Sequence, residues 1–236
     1  METKTIAKWI AIRLEKKANL KRAAGSFAYF KEKINPRGVT VPKVREIEKE
    51  LWNLHQKEFS LDFCLDLTEE LFQSGYWEDP VVGMGLVRRF ENEFDETTFK
   101  RFENWVKKYV SNWAHCDDLC NHLVGSVLEN QPELAKQVVG WAKSENRWVR
   151  RAAAVSFILP ARKGLFEREI LEIAERLFSD KTDDLVQKGN GWMLREYGKT
   201  QPKKLLAFLK KHRENIPRVT MRYALEKFSA KEKKGL

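Results

Sequence analysis

Residues 148–155 read WVRRAAAV, and the chain carries the same pattern elsewhere. An aromatic or large apolar residue opens a helical segment at Trp77 (WEDPVVGMG), Trp113 (WAHCDDLC), Trp148 and Leu185 (LVQKGNGW). The intervals are 36, 35 and 37 residues, and PRVTMRYAL places Val219 33 residues after Val186. Helix pairs recurring at such an interval stack so that each unit buries its apolar face only against its neighbours.

Within the segments the apolar spacing is helical. Phe99, Phe102, Val106 and Val110 share one face, as do Leu171, Ala174, Leu177 and Phe178. Breakers at Asn35-Pro36, Asp79-Pro80, Gln131-Pro132, Gln201-Pro202 and Ile216-Pro217 separate helices of about 12–18 residues. No stretch alternates with period two. These features predict an all-α fold, a HEAT-like or related α-solenoid of antiparallel helix pairs, curved, in a single domain over 1–236. Residues 1–70 carry the period poorly and read as capping helices, 71–228 as regular repeats and 229–236 as a flexible tail.

Composition narrows the class further. The chain has 236 residues, 42% of them apolar and 33% charged, which suits a packed core in water and excludes a disordered chain. Only 12 Gly and 7 Pro are present, too few for the turns of a β-sandwich. No window of 18 residues is apolar without a charge, so no membrane span is expected. The opening METKTIAKWIAIRLEKK lacks the small-residue cleavage site of a secretory signal. Cys64, Cys116 and Cys120 are an odd number in a long chain, which fits a reducing cytoplasm better than a disulfide framework.

The net charge of +10 is unevenly placed. Residues 1–45 carry +9, residues 46–140 carry −10 and residues 141–236 carry +11. Two separated basic blocks suggest a polyanion held at both ends of the body, and nucleic acid is the first candidate. The alternative is a set of solvated helix faces. The run KKLLAFLKKHR at 203–213 is an amphipathic helix of that kind, with phosphate contact as its second reading.

Register also aligns side chains. Three and four residues past each opener stand Pro80/Val81, Cys116/Asp117, Arg151/Ala152 and Lys188/Gly189. Residues three, four and seven apart share a helix face, so stacked helices place these in one row, joined by Trp192 seven past Leu185. Gly189 and Gly191 are unusual inside a helix, where each costs about 1 kcal/mol relative to Ala. Two readings stand: they relieve crowding between repeats, or they let a ligand come close.

WAHCD (Trp113 to Asp117), WVRRAAA (Trp148 to Ala154) and QKGNGWMLREYGKTQP (Gln187 to Pro202) together resemble the AlkD-type DNA alkylation-repair glycosylases. That family has a W-x3-D motif, a W-x-x-R-A-A segment and a K-x-x-G-W-x-L-R-E-x-x-K-x-x-P block. The last is the most specific, with Lys188, Gly191, Trp192, Leu194, Arg195, Glu196, Lys199 and Pro202 in place. Tyr29-Phe30-Lys31 followed by Gly38-Val39, Pro42 and Arg45 resembles its opening pattern more weakly. The resemblance spans residues 28–228. Ala114 and Cys116 depart from the residues the family often has inside W-x3-D, and with Asp118 beside it Asp117 is chosen by motif spacing alone.

The resemblance implies that Asp117 is the catalytic carboxylate and that Trp113 and Trp192 flank the lesion nucleotide's sugar. It implies that Arg151 and Tyr29 contact the DNA backbone, with Lys188 as a further DNA-facing cation. The implied activity is monofunctional: excision of cationic N3- or N7-alkylated purines from duplex DNA, without metal or other cofactor, by a monomer associated with the nucleoid when bound. The alternative is a non-catalytic solenoid that binds damaged or unusual DNA.

These residue types suit that chemistry. An alkylated purine is cationic and leaves without a general acid, while charge of the opposite kind to a carboxylate's develops on the sugar. Indole faces attract cations by about 0.5–2 kcal/mol each in a dry site. Trp148 and Trp77 read instead as packing residues, and Arg195 and Glu196 as a structural pair. His115, Cys116, Cys120 and His122 match no zinc spacing of predictive value, so no metal is expected. The chain has no phosphate-binding Gly-rich loop, no dinucleotide fingerprint and no G-x-S-x-G elbow.

Overall fold

The computed structural model describes residues 2–234, so Met1 and the last two residues of the expected tail lie outside the described residues. Among the described residues every regular element is helical. The chain divides into two compact units, Met1–Glu93 and Phe94–Leu236. The division falls inside the stretch the sequence reading counts as regular repeats.

The first unit contains α1 (Thr3–Lys16), α2 (Leu20–Ser26), α3 (Val41–His55), α4 (Leu61–Gln73) and α5 (Asp79–Arg88). Helices α1, α3, α4 and α5 pack together around Ile10, Leu14, Val44, Ile47, Leu51 and Leu67. The WEDP stretch that opens α5 is a structural joint. Glu78, 1% exposed, accepts the backbone N–H groups of Arg37, Gly38 and Val39 at 2.9, 2.8 and 3.0 Å. The Arg37 guanidinium lies 3.5 Å from the Tyr76 ring centroid and grips Asp79 through Nε and Nη2 at 3.0 and 3.1 Å. Trp77 donates its backbone N–H to Asn35 and sets its ring edge-on to Phe30, in keeping with a packing role.

The second unit begins with α6 (Glu96–Lys108) and α7 (Trp113–Asp118). A π-helical turn at Leu119–Val124 joins α7 to α8 (Gly125–Asn130). There follow α9 (Ala135–Trp141), α10 (Arg147–Val155), α11 (Ile158–Arg162), α12 (Glu167–Leu177), α13 (Asp184–Thr200), α14 (Pro202–Lys211) and α15 (Arg218–Ala224). One row runs α7, α10, α13, α15, each packed on the next. Helices α9, α12 and α14 each pack against a member of it. The row's helices start 34, 37 and 34 residues apart, which is the interval visible in the sequence.

Polar caps set these starts. Asn112, Asn146 and Asp183 accept the amides of His115, Trp148 and Leu185 at 2.9, 2.9 and 3.0 Å. Each such cap contributes about 1 kcal/mol. Three of the prolines read as breakers also start the helix that follows: Pro80 and Pro202 lie in the first turns of α5 and α14, and Pro217 caps α15. Several helices are shorter than the expected 12–18 residues; among them, the segments 113–130 and 147–162 are split by the π turn and by a break at Ser156-Phe157.

The core of the second unit is aromatic and aliphatic: Phe99, Phe102, Trp105, Phe157 and Tyr197 are fully buried. Phe99 stacks on Trp141 with centroids 5.6 Å apart, and the Trp141 Nε1–H donates to Glu103 at 2.8 Å. Burying each such ring stabilises the fold by about 1.5–3 kcal/mol.

Candidate functional site

The site is built from α7, α10 and α13, at equivalent depths along neighbouring helices. Asp117 and Arg151 each stand four residues past the first residue of their helix. Arg151 donates Nε to Asp117 Oδ1 at 2.8 Å and Nη2 to Oδ2 at 2.7 Å, a two-point ion pair between α7 and α10. Its Nη1 donates to the Leu185 carbonyl on α13. A Cβ placed on Gly189 would stand 3.4 Å from Arg151 Cγ and Nη1, an ordinary contact, so this face of α13 packs on the arginine with room for a methyl group. Leu185, Gly189 and Trp192 lie at i, i+4 and i+7 and share the helix face that meets Arg151. Trp113 and Asp117 likewise lie one turn apart on α7.

Arg151 is only 5% exposed, whereas the Asp117 side chain keeps 17% of its surface. Trp113, Lys188 and Trp192 are also partly exposed. The cation is therefore beneath, and the carboxylate and indoles lie nearer the solvent. Burial pushes the Asp117 carboxyl above its ordinary range, the charge and hydrogen bonds of Arg151 pull it back, and Asp118 adds a smaller upward push. Each carboxylate oxygen has a second lone pair beyond the one Arg151 occupies, so an oriented anion remains available. Cys116 and Cys120 are buried beside it, and burial drives the Cys116 thiol well up, so it offers no thiolate.

The structure brings together Asp117, Arg151 and the α13 face that bears Lys188, Gly189 and Trp192. Arg151 was expected to face DNA; it is instead buried and hydrogen-bonded to Asp117 and Leu185. Tyr29 lies in the first unit, in the turn after α2, and is 79% exposed. Gly191 resolves toward the packing reading: a Cβ there would come within 2.5 Å of Tyr223 Cβ and 2.8 Å of the Thr220 carbonyl on α15. Trp148 is buried under Arg147, as a packing residue should be. Glu196 is a structural ion centre, reached by Arg162 at 2.7 Å, Lys199 at 2.6 Å and Arg195 at 3.3 Å.

Sequence reading missed three contributors. Asn112 caps α7 one residue before Trp113 and holds the buried His115 ring, Nδ2 to Nδ1, at 3.1 Å. An Asn immediately before an aromatic opener was the available signal. The π turn begins directly after Asp118 and closes with the Gly125 amide on the Cys120 carbonyl; such turns gather at functional sites. The Asp117–Arg151 pair itself was implicit in the shared register. Among the described residues no three His, Cys, Asp or Glu side chains gather to hold a metal, and no helix is long and apolar enough to cross a membrane.

A solved structure described as a predicted DNA alkylation repair enzyme from Enterococcus faecalis shares the fold with a TM-score of 0.76 and 20% sequence identity. The match covers 91% of this chain and 98% of that one. No curated protein matches the sequence. The family model described as DNA alkylation repair enzyme matches residues 10–228, a range that includes Asp117, Arg151 and Trp192. This chain belongs to the DNA alkylation repair enzyme family.

Proposed function

We propose that the protein is a monofunctional DNA glycosylase that removes cationic N3- or N7-alkylated purines from duplex DNA. The observation that carries this reading is the Asp117 carboxyl group, partly open to solvent and held at two points by a buried Arg151. The C1′–N bond breaks with its electron pair going to the purine, which leaves neutral. Positive charge develops on the sugar, water adds at C1′, and the water's proton is released to solvent.

Asp117 stabilises the cationic sugar and orients the water, without a covalent intermediate. Trp113 and Trp192 offer indole faces to the cationic base and sugar. Arg151 is a positioning residue that keeps both oxygens of Asp117 in place. Lys188 and Tyr29 contact the phosphate backbone. The partner is double-stranded DNA carrying alkylated bases, bound by a monomer without cofactor.

The test is release of N7- and N3-methylpurine from methylated duplex DNA by the wild type, Asp117→Asn and Trp113→Ala. Release by the wild type and a loss of two to three orders of magnitude in Asp117→Asn is the expected result, of the size removal of a charge-stabilising group gives. Equal rates in wild type and Asp117→Asn remove the carboxylate from the chemistry. DNA binding with no release by any form makes the protein a non-catalytic binder.

A further inference from the structure

A second charged site lies wholly within the first unit. A cavity of about 220 Å3 opens between the end of α1 and the starts of α2 and α3, lined by Lys16, Lys17, Asn19, Arg22, Thr40 and Lys43. It has room for a tetrahedral oxyanion and several waters, each of which takes about 30 Å3. No carboxylate lines it.

Its cations differ from three arginines of the same unit. Arg13, Arg37 and Arg89 are held by Glu50, Glu15 with Asp79, and Glu48 respectively. Around the cavity, Lys17 is held by Glu46 at 3.2 Å, but Lys16, Arg22 and Lys43 have no carboxylate partner among the described residues. Three uncompensated charges of one sign about one concavity raise its potential and draw an anion in.

The backbone adds donors. Helix α3 is 15 residues long, Thr40 at its N-cap makes no side-chain capping bond, and Pro42 stands in its first turn. The amides of Val41 and Lys43 and the Thr40 hydroxyl therefore have no partner within the chain among the described residues. The helix dipole points its positive end at the same place. Side chains, amides and dipole all favour one chemical class, a phosphate oxyanion.

We infer that this cavity binds a phosphate group of the DNA backbone, as an anchor separate from the Asp117 site. The DNA source rests on the proposed function; the phosphate chemistry does not. An anchor in the first unit accounts for the +9 charge of residues 1–45, which the Asp117 site leaves unused.

The experiment uses the full chain, the double variant Lys16→Glu/Lys43→Glu, the charge-keeping Lys16→Arg/Lys43→Arg, and Lys57→Glu as an exposed lysine elsewhere in the unit. Inorganic phosphate, against chloride at equal ionic strength, raises the unfolding midpoint of the wild type and the Arg variant but not of the Glu double variant. For undamaged duplex DNA, the Glu double variant binds about three- to tenfold more weakly, and its log–log salt slope is smaller by about one; Lys57→Glu leaves the slope unchanged. An unchanged slope in the double variant, or absence of DNA binding by the wild type, overturns the DNA anchor. Phosphate stabilisation lost with the slope intact assigns the cavity to free phosphate and overturns it too. Methylpurine release is measured on the same samples: a wild type that releases no base yet shows the slope difference loses the glycosylase reading and keeps the anchor.

Discussion

Arg151 and Asp117 meet through two parallel hydrogen bonds of 2.8 and 2.7 Å, although they lie 34 residues apart and on different helices. The pair fastens α7 to α10, and through the Leu185 carbonyl it also fastens α13. One interaction therefore serves the packing of three repeats and the aim of the proposed catalytic oxygen atoms.

Breaking the pair from one side should be costly. Arg151→Ala leaves a largely buried carboxylate unpaired, and a loss of about 3 kcal/mol in urea unfolding is expected. Asp117→Ala/Arg151→Ala should lose clearly less than the sum of the single variants, with a coupling of about 1–3 kcal/mol. Additive losses would show that the two groups do not depend on one another.

Base release should have an acid limb displaced upward. The reaction needs the Asp117 carboxylate, and burial raises this group above its ordinary 3.8. Activity accordingly falls as pH is lowered through a value above 3.8. Asp118 is one of the upward pushes, so Asp118→Asn should move the limb to lower pH. A pH–rate profile of methylpurine release measures both, and a limb that ignores Asp118→Asn contradicts the assignment.

Glu196 shifts in the opposite direction to Asp117, and what acid takes away there is stability. Burial is the largest influence and opposes its charge, but Lys199 and Arg162 together outweigh it and hold the carboxyl below its ordinary 4.5. The folded-state value is thus lower than the unfolded one. The contribution of the cluster is complete above the ordinary value and is lost as pH falls through the lower, folded value. Glu196→Gln should be less stable than the wild type near neutrality, with the difference shrinking on acidification. A constant difference from neutrality to below pH 4 would remove the cluster from the acid sensitivity.

The two glycines of α13 should behave differently. Gly191→Ala pushes a methyl to within 2.5 Å of Tyr223 Cβ and 2.8 Å of a backbone oxygen, and a loss of about 1–3 kcal/mol is expected. Gly189→Ala meets only ordinary contacts with Arg151 and Val155, and it gains helix propensity of about 1 kcal/mol. It should be neutral or slightly stabilising. Thermal unfolding of both variants separates these outcomes.

In the first unit, Glu78→Gln replaces an anion that accepts three backbone N–H groups by a side chain with one acceptor oxygen. A loss of about 1–3 kcal/mol should follow. Hydrogen exchange at Gly38 and Val39 should accelerate markedly, while amides of α13 keep their rates. Uniform acceleration throughout the chain would contradict a local joint.

The helical class and the repeat were open to reading because both are periodic in one dimension. Apolar spacing reports which face of a helix is dry, and an interval near 35 residues reports where the next equivalent helix begins; Trp113, Trp148 and Leu185 fall at or next to the starts of α7, α10 and α13. The same register put Asp117, Arg151, Lys188 and Trp192 in one row. What the linear pattern could not state was depth. A charged residue on a row reads alike whether it faces solvent or a neighbouring helix, and so Arg151 was expected to meet DNA when it is buried against Asp117. Glycine had the same ambiguity: Gly191 is required by the approach of α15, which no local pattern records. The family motifs and the stacking were thus determined by sequence, because they depend on residue type and interval. The orientation of Arg151, the π turn after Asp118, the caps formed by Asn112 and Asn146 and the cavity between α1, α2 and α3 depend on which surfaces meet across tens of residues. Only the packed chain decides that.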